Sequence, residues 1–182
     1  MKTLALDIGN VCVAIRSENL PERLGFMPPA EFYRLFTEEF EHGTLDDDEF
    51  YRKSIELFPH HIDKVHFWNA FESTVCEPLP GMEDFVRGLE EKGWRAVFFS
   101  DTSRRHLEAV KRQFPAWVHV AGAVCSYAAG ASKPSEKMFA AFEKEWGVPD
   151  LYLDDRQSLI DGAKKRGWNA VLFSGAEKVI LP

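Results

Sequence analysis

Short apolar runs that stop at a polar residue, with amphipathic stretches between them, constrain this chain more than any other feature. Leu4-Ala5-Leu6 leads towards Asp7, Val97-Phe98-Phe99 into Ser100-Asp101, and Leu151-Tyr152-Leu153 into Asp154-Asp155. Strands of this length alternating with helices imply a parallel sheet covered on both faces, an α/β doubly wound, Rossmann-like core. The pattern predicts strands over residues 3–8, 95–100, 118–125, 151–154 and 169–173, and helices over 82–92, 103–113, 135–146 and 157–166. Gly93, Gly147 and Gly167 follow three of those helices, the expected C-terminal stop.

One gap breaks the alternation. More than 80 residues separate the first two predicted strands, where a βαβ crossover needs only about 30. The insertion reads as helical. Phe32, Leu35, Phe36 and Phe40 recur at helical spacing and end before Gly43; a second helix starts at Asp46-Asp47-Asp48 and runs to Leu57; a third spans residues 62–71. A small helical cap over residues 16–75 is therefore expected, inserted into a core made of 1–15 and 76–182. Its many Phe residues are read as its own filling, because a bundle this small needs bulky side chains.

The net charge of -7 argues against nucleic acid or an anionic membrane as partner and leaves a small phosphate ester open. Cys12, Cys76 and Cys125 are odd in number and widely spaced, which reads as buried free thiols. Without a signal-like segment or a long apolar run, the expectation is a soluble cytoplasmic protein.

Asp7 sits at the end of the first strand and enters a Gly9-Asn10 turn, where open α/β sheets bind ligands. It reads as a nucleophile. Taken singly, Asp7, Ser100 and the Asp154-Asp155 pair could serve as helix caps and Lys133 as a surface charge. Together they place matching chemistry at successive strand ends. Three carboxylates meeting in one crevice repel unless a cation separates them, so Asp7, Asp154 and Asp155 imply Mg2+. Ser100 would donate its hydroxyl to a phosphoryl oxygen, with backbone amides near Asp101 and Thr102 adding donors. Lys133 would supply a point charge, with Pro134 in the first turn of the next helix.

On Asp7-Ile8-Gly9-Asn10-Val11, Ser100-Asp101-Thr102, Lys133-Pro134, and Asp154-Asp155 with Asp161-Gly162-Ala163, the chain resembles the haloacid dehalogenase (HAD) superfamily along essentially its whole length. The branch is that with a helical cap after the first strand, IA-like, whose first motif reads Asp-x-Gly-Asn-Val; Glu41-His42-Gly43-Thr44-Leu45-Asp46 looks like its Gly-centred cap turn. The resemblance implies Mg2+-dependent phosphatase activity through an aspartyl-phosphate at Asp7. It further implies catalytic Asp7, Ser100 and Lys133, and substrate contacts from Gly9, Asn10, Ser100, Asp101 and Lys133. The metal would be held by Asp7, the Gly9 carbonyl, Asp155 and, directly or one layer out, Asp154. Asp161 is expected to hold loop or helix geometry.

Two positions depart from the pattern. Many members carry a second Asp, a general acid, where this chain has Gly9. Either the leaving group needs little protonation, or a cap residue such as Glu41 or His42 or a bound water takes over, or catalysis is feeble. Members resembling this chain include sugar-phosphate phosphatases; with the short cap and Gly9, the expected substrate is a small phosphorylated metabolite, a sugar phosphate or a related compound. Asp101 replaces a more usual Asn and is expected to turn away from phosphate or approach the metal. The rival readings are a metal-independent 2-haloacid dehalogenase, disfavoured by the charge of Asp154-Asp155 beside a carboxylate substrate, and a non-enzymatic binding module.

Overall fold

In the computed structural model, which describes residues 1–182, side chains alternate across the first strand, β1 (Lys2–Leu6): Leu4 and Leu6 join one buried cluster and Ala5 another. The same sorting sends Phe98 and Leu153 to the first cluster and Val97, Phe99 and Tyr152 to the second. A sheet apolar on both faces must be covered on both faces, as the sequence pattern required.

After β1 come β2 (Val13–Ile15) and, beyond the insertion, β3 (Val75–Pro78), which pair antiparallel as a two-stranded ribbon at the neck of the inserted segment. The inserted helices are α1 (Asn19–Leu24), α2 (Ala30–Arg34), α3 (Asp47–Leu57) and α4 (Lys64–Glu72). The core continues with α5 (Met82–Arg87), β4 (Trp94–Ser100), α6 (Arg104–Gln113), β5 (Val120–Cys125), α7 (Ser126–Ala129), α8 (Glu136–Trp146), β6 (Leu151–Asp154), α9 (Gln157–Lys165) and β7 (Ala170–Leu172). The sheet order is β5-β4-β1-β6-β7 and every pairing is parallel. The chain passes from β1 to one side for β4 and β5 and later to the other for β6 and β7. The C-terminal end of β1 is thus the switch point, where such sheets leave a crevice.

Several expected bounds move. The helix predicted over 82–92 breaks at Gly88, and a 3-10 turn, Glu90–Lys92, finishes it. The predicted strand at 118–125 starts at Val120, because Pro115–His119 forms a 3-10 turn. The stretch around Phe32 to Phe40 begins as α2 and passes into a π-helix, Leu35–Phe40. Helical periodicity alone does not separate the two windings, and π segments of this kind often stand beside functional sites. The start of α3 is as expected: Asp46 accepts from the Glu49 amide and the Glu49 side chain returns to the Asp46 amide, a capping box.

The inserted helices have their own core of Phe32, Phe50, Phe67 and Phe71, with Phe40 stacked on Phe50 at 4.1 Å. The three cysteines are buried and free. No helix is long and apolar enough to cross a membrane.

Candidate active site

Register brings the motifs together. Leu6 of β1 lies opposite Phe98 of β4 and Leu153 of β6, so the residues just past each strand meet at one rim. The Asp7 amide donates to the Leu153 carbonyl at 3.0 Å, which fixes Asp7 beside the end of β6. Ser100 ends β4, buried, and Asp154 ends β6, fully buried.

Lys133 is not a surface residue; its ammonium is buried among these strand ends. Nζ donates to Asp154 Oδ2 at 2.7 Å, to the Phe99 carbonyl at 2.9 Å and to the Tyr152 hydroxyl at 3.2 Å. Those partners use its three hydrogens. Nζ also forms an ion pair with Asp7 Oδ1 at 3.0 Å, and that oxygen has no hydrogen-bond partner. A buried carboxylate oxygen left in this state is disposed to take a cation or attack an electrophile.

The charge balance is uneven. Burial pushes the Asp7 carboxyl above its usual range, and Lys133 opposes that while the charge of Asp154 adds to it. Burial also works against ionised Asp154, but Lys133, the Tyr152 hydroxyl and the Arg156 amide overcome it and hold Asp154 low. Asp155 is raised by burial and by Asp154. Oxygens of Asp7, Asp154 and Asp155 lie within 4.8 Å of one another. An all-carboxylate set of this kind, with one oxygen unpartnered, fits a hard divalent cation such as Mg2+.

Other expected site residues have structural partners. Asn10 is the one non-glycine residue with positive φ (54°), and its side chain accepts from the Ile15 amide at 3.1 Å, pinning the turn. The Asp101 carboxylate accepts from the Lys133 amide at 2.8 Å and faces Arg156 at 3.2 Å. These contacts tie the Asp101 carboxylate to the Lys133 backbone while Asp101 still lines the cavity beside Ser100. The Thr102 amide, expected to serve phosphate, donates instead to Ser126 Oγ at 2.9 Å. Ser103 caps α6, which leaves Ser100 clear of that task. Pro134 lies one residue before Ser135, the cap of α8, and not within its first turn. Gly162 lets Pro134 pack close, since a Cβ there would stand 2.9 Å from Pro134 Cβ; Asp161 receives only Gln157, at 2.8 Å.

The turn after the π segment docks the inserted helices on the core. Gly43 has φ +69° and a Cβ there would come within 2.1 Å of the Tyr127 carbonyl, so only glycine permits this approach. His42 Nε2 meets Ser132 Oγ at 2.8 Å, next to Lys133. Glu41, on the same turn, lines a cavity of about 270 Å3 that also has Gly9, Ser100 and Asp101 in its wall. Burial and the charge of Asp101 push its carboxyl up to about 8 against the pull of Arg156.

No family profile and no curated protein matches this chain. Solved structures do. A HAD family enzyme from Bacteroides thetaiotaomicron, BT-2542, solved with magnesium and inorganic phosphate, is 22% identical over 96% of this chain and 95% of its own, with a TM-score of 0.85. CbbY from Rhodobacter sphaeroides, a D10N mutant in complex with xylulose-(1,5)bisphosphate, is 18% identical over 96% of this chain and 87% of its own, TM-score 0.61. The L-2-haloacid dehalogenase PA0810 is 14% identical over 94% and 83%, TM-score 0.68. The fold is that of HAD enzymes, shared by a phosphate-bound member and a dehalogenase alike.

Proposed function

We propose that this protein is a HAD-type hydrolase that cleaves a small phosphate ester with Mg2+, through an aspartyl-phosphate at Asp7. The observation carrying this reading is the meeting of Asp7, Asp154 and Asp155 at one strand-end rim, with Asp7 Oδ1 buried and held by the Lys133 charge alone, without a hydrogen bond. Asp7, Asp155 and the Gly9 carbonyl, with Asp154 beside them, would hold the metal. When bound, the cation offsets the phosphoryl charge and keeps Asp7 ionised.

Lys133 holds the rim together by bonding Asp154 and facing Asp7. With both acids balanced, Asp7 can attack phosphorus in line, splitting one hydrolysis into two displacements. Ser100, buried at the same rim, offers its hydroxyl to a phosphoryl oxygen. The missing acid at Gly9 is met from the cap. Glu41, neutral at pH 7 and in the wall of the same cavity, gives its proton to the leaving oxygen as the P–O bond breaks. As carboxylate, it then takes a proton from the water that attacks the aspartyl-phosphate.

The test is hydrolysis of p-nitrophenyl phosphate, whose good leaving group needs no acid. Turnover that EDTA and Asp7→Asn both abolish is expected. Halide release from 2-haloacids without metal, and no turnover of phosphate esters, would contradict the reading.

A further inference from the structure

Resting on the hydrolase reading above, we propose that the group esterified to the phosphate is uncharged, largely hydrocarbon and about the size of one aromatic ring, and that it binds in the cavity between the strand ends and the cap.

The cavity has Ser100 and Gly9 at its catalytic end and is walled by Ile15, Leu20, Tyr33, Phe36, Phe71 and Val75. Its volume, about 270 Å3, leaves room for a ring plus its phosphate; apolar cavities of roughly 150 Å3 already bind benzene. Most polar atoms in the wall are already paired within the protein. Thr37 Oγ1 donates to the Tyr33 carbonyl at 3.0 Å and Thr74 Oγ1 to the Phe71 carbonyl at 3.1 Å. His106 Nε2 meets that same Phe71 carbonyl at 3.1 Å, and its ring stacks on Phe71 at 4.2 Å. Burial lowers the His106 imidazole to about 4, against the pull of the Phe71 carbonyl, so it is neutral. Hydroxyls of a sugar entering this space would lose water and find few partners, a loss that rejects polar ligands strongly.

The wall also contains no Lys or Arg, while Glu41 and Asp101 are acidic. A second phosphate or a carboxylate on the substrate would meet no opposite charge. Bisphosphates and haloacids are disfavoured on that ground. The inference departs from the sugar phosphate expected from the sequence, because side-chain orientation in the cap was not legible there. Ile15 sets one side of the pocket: a Cβ on Gly9 would stand 3.0 Å from its Cγ1, so the space an acid at position 9 would enter holds hydrocarbon.

The experiment compares kcat/KM for benzyl phosphate, glucose 6-phosphate, fructose 1,6-bisphosphate and acetyl phosphate with Mg2+, in the wild type, Ile15→Asn and Phe36→Asn. The half-exposed Ile15 keeps the test independent of whether Phe36→Asn folds. Benzyl phosphate is expected to exceed both sugar esters by about tenfold or more, and its advantage over acetyl phosphate to fall about tenfold in the variants. A sugar ester turned over as well as benzyl phosphate would overturn the proposal and leave the hydrolase reading standing. Failure of all four esters would overturn the hydrolase reading instead. Calorimetry with phenylphosphonate then decides the pocket: about tenfold weaker binding to Ile15→Asn supports it, and equal binding overturns it.

Discussion

At the floor of the cleft, Lys133 directs every hydrogen of its ammonium to an oxygen of β4 or β6 residues and faces Asp7 as well. Across the cleft, the inserted segment presents Tyr33, Phe36 and Phe71, with Glu41 as its one acid on the cavity. The floor is shaped by charge and the roof by carbon. Charges buried in contact act as a unit, so a change at the floor alters chemistry and stability together. Apolar contacts on the roof are closer to additive and should separate substrate choice from the chemical step.

The largest expected difference is at Asp7. Asp7→Asn removes the attacking oxygen, and kcat should fall by at least about 10⁴-fold while circular dichroism stays that of the folded protein. Residual turnover within tenfold of wild type would place the chemistry elsewhere. Next comes Lys133→Met, which leaves Asp7 and Asp154 buried without their cation. Urea melts should show a loss of about 3–5 kcal/mol, with activity lost as well. A variant as stable as wild type would mean that the floor is not one charge-balanced unit.

Glu41→Gln sharpens the contrast, because the roof should then affect only proton delivery. In single-turnover measurements of the first displacement, alkyl phosphates should lose about 10²-fold in rate and p-nitrophenyl phosphate less than about threefold, while hydrolysis of the aspartyl-phosphate slows alike for both. For alkyl esters the wild-type rate should fall as pH rises through about 8, where Glu41 loses its proton, and that limb should vanish in the variant. Equal losses on both ester types would make Glu41 a docking residue only.

The smallest effect is expected from His106. Its imidazole is depressed from 6.5 to about 4 by burial, so the neutral form is the one folded. Its contribution is fully present above pH 6.5 and is lost as pH falls through about 4. The Tm of His106→Gln should therefore drop less than that of wild type across this window. Parallel Tm curves would show that His106 does not couple to folding.

Much of the core was legible because apolar runs of β1, β4 and β6 end in polar residues whose positions the parallel register then aligns. The ribbon of β2 and β3 escaped notice, since strands of three or four residues carry too little alternation to stand out. The burial of Lys133 was equally hidden. Between Ser132 and Pro134 it reads as a loop lysine, and only the folded chain threads it beneath Phe99 and Tyr152. Gly43 marks a turn of the inserted segment, but which side chains of that turn face the core depends on the π winding before it, invisible to periodicity. The resemblance does not reveal the local partners of these residues: the Asn10 side-chain oxygen accepts from the Ile15 amide, the Asp101 carboxylate from the Lys133 amide, and the Thr102 amide donates to Ser126 Oγ.

The central claim, that Asp7 carries the phosphoryl group, is tested most directly by acid quenching of the enzyme during turnover of 32P-labelled benzyl phosphate. Label should appear as a hydroxylamine-sensitive acyl phosphate on the peptide containing Asp7, and should be absent from Asp7→Asn and after EDTA. Turnover without label on that peptide, or label on another residue, would contradict the account.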